Sequence, residues 1–248
     1  MRRLWMSLLL VPVMVAAVAS AAWASPAAPA SRTAPVARTA PAASAAAARA
    51  LQPGMKGPKV KALQRRLAAL KYYPGSIDGR FGTNTLEAVW AFYEAQGMKP
   101  HSYVSSAMKK RLAHPRAPKV LVKHGAANRI EVSLSREVLV LYRNNQVQLI
   151  SHVSTGGHYH YCSPGGGCGY AVTPTGNYHT VVFMRGWVHV PLGEMFNPVF
   201  FIGTAFAIHG DTDVPLAPVS HGCVRIPMDI ANFFHKLVKV PGERVYIR

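Results

Sequence analysis

The residues whose types could do chemistry gather in Ser220-His221-Gly222-Cys223-Val224-Arg225, with His209-Gly210 a short way upstream. Cys223 is the one cysteine in the C-terminal third of the chain. An ordinary thiol ionises near about pH 8.5, so it attacks a carbonyl well only when a neighbour takes its proton or stabilises its anion. His209 is the candidate neighbour. The apolar run Phe200 to Ile208 reads as a buried strand that delivers it, and the Pro- and Asp-containing loop Asp211 to Val219 returns the chain beside that strand's end. Around the thiol, Ser220, His221, Gly222 and Arg225 are the substrate-binding candidates. The N–H groups of His221, Gly222 and Cys223 could face an oxyanion, and the Arg225 fork suits a carboxylate or a bracing role. A core reading of Cys223 fits poorly with Gly before it and Arg two residues on. His209, His221 and Cys223 could ligate zinc, but no H-E-x-x-H or C-x-x-C spacing accompanies them, so neither metal nor cofactor is expected.

The rest of the chain must deliver and position that group. Arg2-Arg3, the apolar stretch Leu4 to Ala19 and the small-residue site Ala22-Trp23-Ala24 have the pattern of a secretory signal peptide over residues 1–24. Export follows, with no stable membrane insertion once the signal is cleaved; left uncleaved, the same stretch is nearly long enough to anchor. Residues 25–50 are dominated by Ala and Pro and read as a tether. The formal net charge is +18, and the first acidic residue is Asp78. An exported chain this basic is attracted to anionic wall polymers, whereas export and the lack of a nucleic-acid module argue against nucleic acid as a partner. Three cysteines in such a chain suggest one bridge and one spare thiol. Cys162 and Cys168 flank a glycine-rich loop and are expected to pair, leaving Cys223 free.

Residues 51–113 carry helical spacing. Val60, Leu63, Leu67 and Leu70 recur on one face of a first helix, with Lys59, Lys61, Arg65 and Arg66 on the others. Asn84 and Glu87 are expected to cap a second helix that ends near Gly97, and Ser105 a third over Ala107 to Leu112. Leu51-Gln52-Pro53-Gly54, Gly57, Leu63-Gln64, Ile77-Asp78-Gly79, Phe81-Gly82, Thr85 and Ala88-Val89 together resemble the three-helix peptidoglycan-binding domain family. That resemblance implies a binding module for peptidoglycan glycan and stem peptides. The sequence departs from the family where Tyr93 follows Phe92. Residues 114–123, basic and Pro-containing, read as an interdomain linker.

From residue 124 to 248 the spacing becomes that of strands. Ile130, Val132 and Leu134 alternate, Glu137 to Tyr142 and Val147 to Val153 flank an Asn144-Asn145 turn, and further strands are expected at 178–183, 187–190, 199–202, 205–209 and 244–247. One late helix follows Pro227, with Ile230, Phe233, Phe234 and Leu237 as its stripe. The fold class is therefore α+β and multidomain: a small all-α three-helix domain, then a mostly β, sandwich-like domain with one late helix. Thr173-Pro174-Thr175-Gly176, Ile208-His209-Gly210 and Ser220-His221-Gly222-Cys223-Val224-Arg225, in that order, resemble the catalytic domain of L,D-transpeptidases. The resemblance implies Cys223 as nucleophile, His209 as general base and later acid, the Gly210 backbone carbonyl as the group that orients His209, and a lid over Met184 to Phe201. It implies acyl exchange on peptidoglycan stem peptides by a secreted wall enzyme. Water in place of the acceptor amine would make an L,D-carboxypeptidase or a cysteine peptidase or amidase; a non-catalytic wall-binding protein is the reading from another class.

Overall fold

The computed structural model describes residues 50–248. The expected signal segment and nearly all of the tether lie outside the described residues. Among the described residues no helix is long and apolar enough to cross a membrane.

Three helices come first: α1 (Pro58–Ala69), α2 (Thr83–Ala95) and α3 (Ser106–Ala113). Pro58 starts α1 where its missing N–H costs nothing, and Val60, Leu63 and Leu67 turn inward. Between them Gln64 is buried for a polar reason. Its amide donates to Asp78 Oδ1, the Arg80 carbonyl and Thr85 Oγ1, and its oxygen accepts from the Gly79 N–H at 2.8 Å. One side chain thus ties the Asp78-Gly79 turn to both helices. Ser105 caps α3 by accepting from the Met108 N–H. The expected cap on α2 is not formed. The helix begins at Thr83 after Gly82 with no side-chain cap; Asn84 instead donates to Asp229, and Glu87 is buried. Tertiary partners took both residues away from the helix end.

The strands follow as β1 (Arg129–Ser133), β2 (Val138–Arg143), β3 (Gln146–His152), β4 (His160–Cys162), β5 (Cys168–Tyr170), β6 (Gly176–His179), β7 (Trp187–Val190), β8 (Gly193–Ile202), β9 (Phe206–Asp211), β10 (Val224–Pro227) and β11 (Arg244–Ile247), with α4 (Met228–Leu237) between the last two. They make a five-stranded sheet in the order β3-β2-β1-β11-β6, a four-stranded sheet β10-β9-β8-β7 and the small ribbon β4-β5. Asn144 and Asn145, both at positive φ, make the turn between β2 and β3. The two larger sheets and α4 enclose one core containing Ile130, Leu139, Leu141, Ile208, Ile226, Phe234 and Val245. This is the α+β, mostly β arrangement that the spacing predicts.

Chain order separates the helical part from the strands, but packing does not. Val138, Val140 and Tyr142 of β2 and Ile150 of β3 share a second core with Val60, Leu67, Val89 and Phe92 of the helices. Both faces of β2 are covered, which explains why its sequence is continuously apolar rather than alternating. Each large side chain buried there contributes roughly 1.5–3 kcal/mol. The segment read as a linker is fastened as well: Gln96 pairs with both the N–H and the carbonyl of Arg116, and the Leu121 N–H donates to Glu131.

A buried ion pair crosses this boundary. His152, at the end of β3, has its Nδ1 at 2.8 Å from Glu94 of α2 and its Nε2 at 3.1 Å from the carbonyls of Val214 and Pro215. Both ring nitrogens face acceptors, so the site favours the doubly protonated ring. Burial alone would drive His152 toward neutrality, but the Glu94 carboxylate outweighs it and holds the imidazole above its ordinary value. Removing one partner of such a pair leaves the other charge buried and unmatched. Glu94→Gln is therefore expected to lower unfolding stability in urea by about 3 kcal/mol. Burial also pushes Glu87 and Glu137 up from 4.5 to about 7. Their folded forms bind protons more tightly than their unfolded forms, so the stability these two groups contribute is full below 4.5 and is lost as pH rises through about 7. The urea midpoint is expected to fall between about pH 5 and about pH 8, and Glu137→Gln to flatten that slope.

Candidate active site

Strands β9 and β10 run parallel, and their register sets Ile208 beside Val224 and His209 beside Arg225. Side chains two apart on a strand share a face, so Cys223, one step before β10, projects on the same side as Arg225 and His209. All three line one cavity of about 720 Å³. The Cys223 sulfur is half-buried and unbridged; the Ala207 N–H points at it from 3.4 Å. His209 is buried, and its Nδ1 lies 2.9 Å from the Gly210 carbonyl. A carbonyl can only accept, so Nδ1 carries the proton and Nε2 keeps the lone pair.

The loop before β10 is stitched down by its own motif residues. Ser220 Oγ donates to the Cys223 carbonyl at 2.6 Å and accepts from the Gly222 N–H at 3.0 Å. Thr173, from the Thr-Pro-Thr-Gly stretch, donates to the Gly222 carbonyl at 2.7 Å while accepting from the Gly156 N–H at 2.9 Å. Residues 154–157 complete the seam, exchanging backbone bonds between Ser154 and Arg225 and between Ser220 and both Thr155 and Gly157. Gly222 sits at φ +140, and a Cβ there would meet the Val172 carbonyl at 2.8 Å, so only glycine fits. The expected trio of oxyanion donors is therefore corrected by one. The Gly222 N–H is taken by Ser220, which leaves the N–H groups of His221 and Cys223 without partners among the described residues.

Arg225 is braced rather than free. Its Nε pairs with Asp211 at 3.1 Å and one terminal nitrogen reaches the Asp213 carbonyl at 3.3 Å. Asp211 also lines the cavity, a residue the sequence reading passed over although it stands two positions after His209. His221 lies between the rings of Tyr159 and Tyr161. Cys162 and Cys168 are bonded to each other across the ribbon β4-β5. The stretch Met184 to Phe201, expected as a lid, is mostly the β7-β8 hairpin, hydrogen-bonded into the four-stranded sheet. Only its tip and the start of β8, from Val190 to Met195, reach the cavity. The strands expected at 187–190 and 199–202 form within it, with Val199, Phe200 and Phe201 in the core. Among the described residues, no three His, Cys, Asp or Glu converge as metal ligands.

The electrostatics favour a neutral resting pair. Burial pushes the Cys223 thiol up, against smaller opposing effects from the Ala207 N–H and Arg225. Burial pushes His209 down, partly offset by its bond to Gly210. A protonated thiol and a neutral imidazole are the forms that general-base catalysis starts from. Alkylation of Cys223 by iodoacetamide is expected to reach its half-maximal rate above about pH 8.5, the midpoint for an ordinary thiol. A plateau already reached at neutral pH, as for a preformed thiolate–imidazolium pair, would contradict this.

Comparison with known proteins adds to the geometry. The family model described as L,D-transpeptidase catalytic domain matches residues 127–247, and a peptidoglycan binding domain model matches residues 56–112. Among solved structures, an L,D-transpeptidase from Xylanimonas cellulosilytica is similar at 30% identity and a TM-score of 0.75, covering 80% of this chain and 97% of that one. An L,D-transpeptidase from Stackebrandtia nassauensis is 20% identical with a TM-score of 0.46, covering 79% of this chain and 94% of that one. One from Mycobacterium smegmatis is 18% identical with a TM-score of 0.39, covering 50% and 59%. No curated protein matches.

Proposed function

Because the chain belongs to the L,D-transpeptidase family, with a peptidoglycan-binding domain ahead of the catalytic one, we propose that it is an exported wall enzyme that exchanges acyl groups on stem peptides through Cys223. The observation that carries this reading is the shared strand face of Cys223 and His209 in one cavity, with the His209 Nδ1 committed to Gly210. In the first step His209 Nε2 takes the thiol proton as the sulfur attacks the carbonyl between an L and a D residue of the donor stem. The oxygen, now carrying the charge, meets the His221 and Cys223 N–H groups. As the tetrahedral species collapses, the carbon–nitrogen bond breaks and His209 returns its proton to the departing D-amino acid amine. A thioester remains on Cys223. The acceptor amine attacks that thioester, His209 takes the amine's proton, and the sulfur leaves to be reprotonated; water in the same position gives hydrolysis instead.

The test is intact mass after exposure to a carbapenem, whose strained lactam carbonyl acylates a nucleophilic thiol. A one-to-one adduct is expected on the wild-type chain and none on Cys223→Ala. With a tetrapeptide stem, loss of the terminal D-residue together with a cross-linked product on adding an amine acceptor is expected; wild type giving neither adduct nor product sinks the assignment.

The partner reading has its own support. From residue 51 to 123 the chain holds Lys and Arg throughout but only Asp78, Glu87 and Glu94 as acids, and the last two are buried. Lys59, Lys61, Arg65 and Arg66 stand exposed on α1, and Arg66 reaches the Leu112 carbonyl at the end of α3, next to exposed Lys109 and Lys110. None of these cations is in an ion pair among the described residues. Such a face adds attraction to anionic wall polymers to whatever grip the module has on peptidoglycan. Co-sedimentation with isolated walls is expected to weaken with salt and with the triple change Lys59→Glu, Arg65→Glu and Lys109→Glu. Binding indifferent to both would remove the polyanion from the list of partners.

A further inference from the structure

The cavity has two hairpin walls, and the second is not the segment expected to lid it. Besides the tip of the β7-β8 hairpin, the ribbon β4-β5 and its turn contribute Tyr161, Ser163, Gly167 and Cys168 to the lining. Each of its strands is three residues long, with no residue fully buried. Two-stranded ribbons of that size are marginal on their own. Two features hold this one. The Cys162–Cys168 bond closes its end, and its aromatic rings reach back to the loop that carries the thiol.

The reach is specific. Tyr161 meets the His221 ring edge to face at 4.8 Å and 77°, and Tyr159 meets it at 5.6 Å and 70°. Two glycines make room for the tyrosines: a Cβ on Gly169, the cross-strand partner of Tyr161, would lie 2.8 Å from its hydroxyl, and one on Gly157 would lie 2.6 Å from the Tyr159 ring. Tyr159 also donates to the Val219 carbonyl at 3.2 Å. His221, with no hydrogen bond from its ring among the described residues, is therefore located by aromatic contact. Its own N–H and that of Cys223 are the two donors left for an oxyanion.

We infer that Tyr161 is a positioning residue for acyl transfer, acting through His221 on the N–H groups that flank the thiol, and that the Cys162–Cys168 bond keeps it in place. This rests on the reading of Cys223 as the nucleophile. Aromatic pairs of this kind contribute about 0.5–1.5 kcal/mol beyond burial, enough to choose between loop geometries. Reduction by an external phosphine or dithiol opens the bridge to two thiols, with the reductant oxidised in exchange. The ribbon then loses its closure while Cys223 is untouched.

The experiment uses the whole chain and compares two reactions of the same sulfur. Acylation by a carbapenem needs the oxyanion donors; alkylation by iodoacetamide does not. In Tyr161→Ala, acylation is expected to slow by at least about tenfold with alkylation unchanged, because a misplaced oxyanion donor costs at least that much. Tyr161→Phe, which keeps the ring, is expected to restore it. The double variant Cys162→Ser with Cys168→Ser is expected to fall on the Tyr161→Ala side, as is the wild type after reduction. The inference is overturned if Tyr161→Ala acylates at the wild-type rate, if Tyr161→Phe is as slow as Tyr161→Ala, if alkylation falls in step with acylation, or if the double variant is indistinguishable from wild type. A wild-type chain that alkylates but never acylates fails earlier, at the nucleophile reading itself.

Discussion

The parallel pairing of β9 with β10 is the constraint on which the site depends. Parallel neighbours cannot be joined by a tight turn, so the chain must travel out and back between Asp211 and Val224. That excursion is what the site is made of. It holds the Asp211 partner of Arg225, the carbonyls that receive His152, and the Ser220-to-Cys223 loop. A slip of one residue in the pairing would turn His209 or Cys223 to the opposite face. The bonds from Ser154, Thr155 and Gly157 to this excursion act against such a slip, since they fix Arg225 and Ser220 from the other edge.

The helical part bears on the same excursion from outside. Glu94 holds one side of His152, whose other side holds Val214 and Pro215, nine and eight positions before the thiol. Asn84 and Asp229 join α2 to the start of α4, the helix that follows β10 directly. A module matched by a peptidoglycan-binding family is thus a structural member of the catalytic unit, in contact at two places with elements that frame Cys223. Separating the two would expose the outer face of β2 and β3, with Val138, Val140, Tyr142 and Ile150 on it.

Much of this was legible in the sequence, and the reasons for the exceptions are physical. Helical spacing located α1 and α3 well, the Asn-Asn turn located the β2-β3 hairpin, and ordered motifs pointed to Cys223 and His209. The cap on α2 was misjudged because Asn84 and Glu87 satisfy any local rule for a helix start while their partners lie far away in sequence. The stretch from Met184 to Phe201 carries two signals: the spacing predicts strands at 187–190 and 199–202, which form, while the resemblance implies a lid, of which Val190 to Met195 lines the cavity. The ribbon β4-β5 went unread because strands of three polar and aromatic residues carry no period. His152 carried no signal of its own: a single histidine closing an apolar strand gains meaning only when a helix more than fifty residues earlier brings a carboxylate to it.

The half-buried setting of Cys223 has a consequence for survival. A thiol attacks peroxides and stray disulfides as its anion, so surroundings that keep it protonated slow those reactions. The Cys162–Cys168 bridge stands at the wall of the same cavity, and Cys223 is left out of it. On the proposed mechanism, desolvation around the reactive atom shields it at rest, until a substrate carbonyl arrives and the neighbouring imidazole accepts the proton.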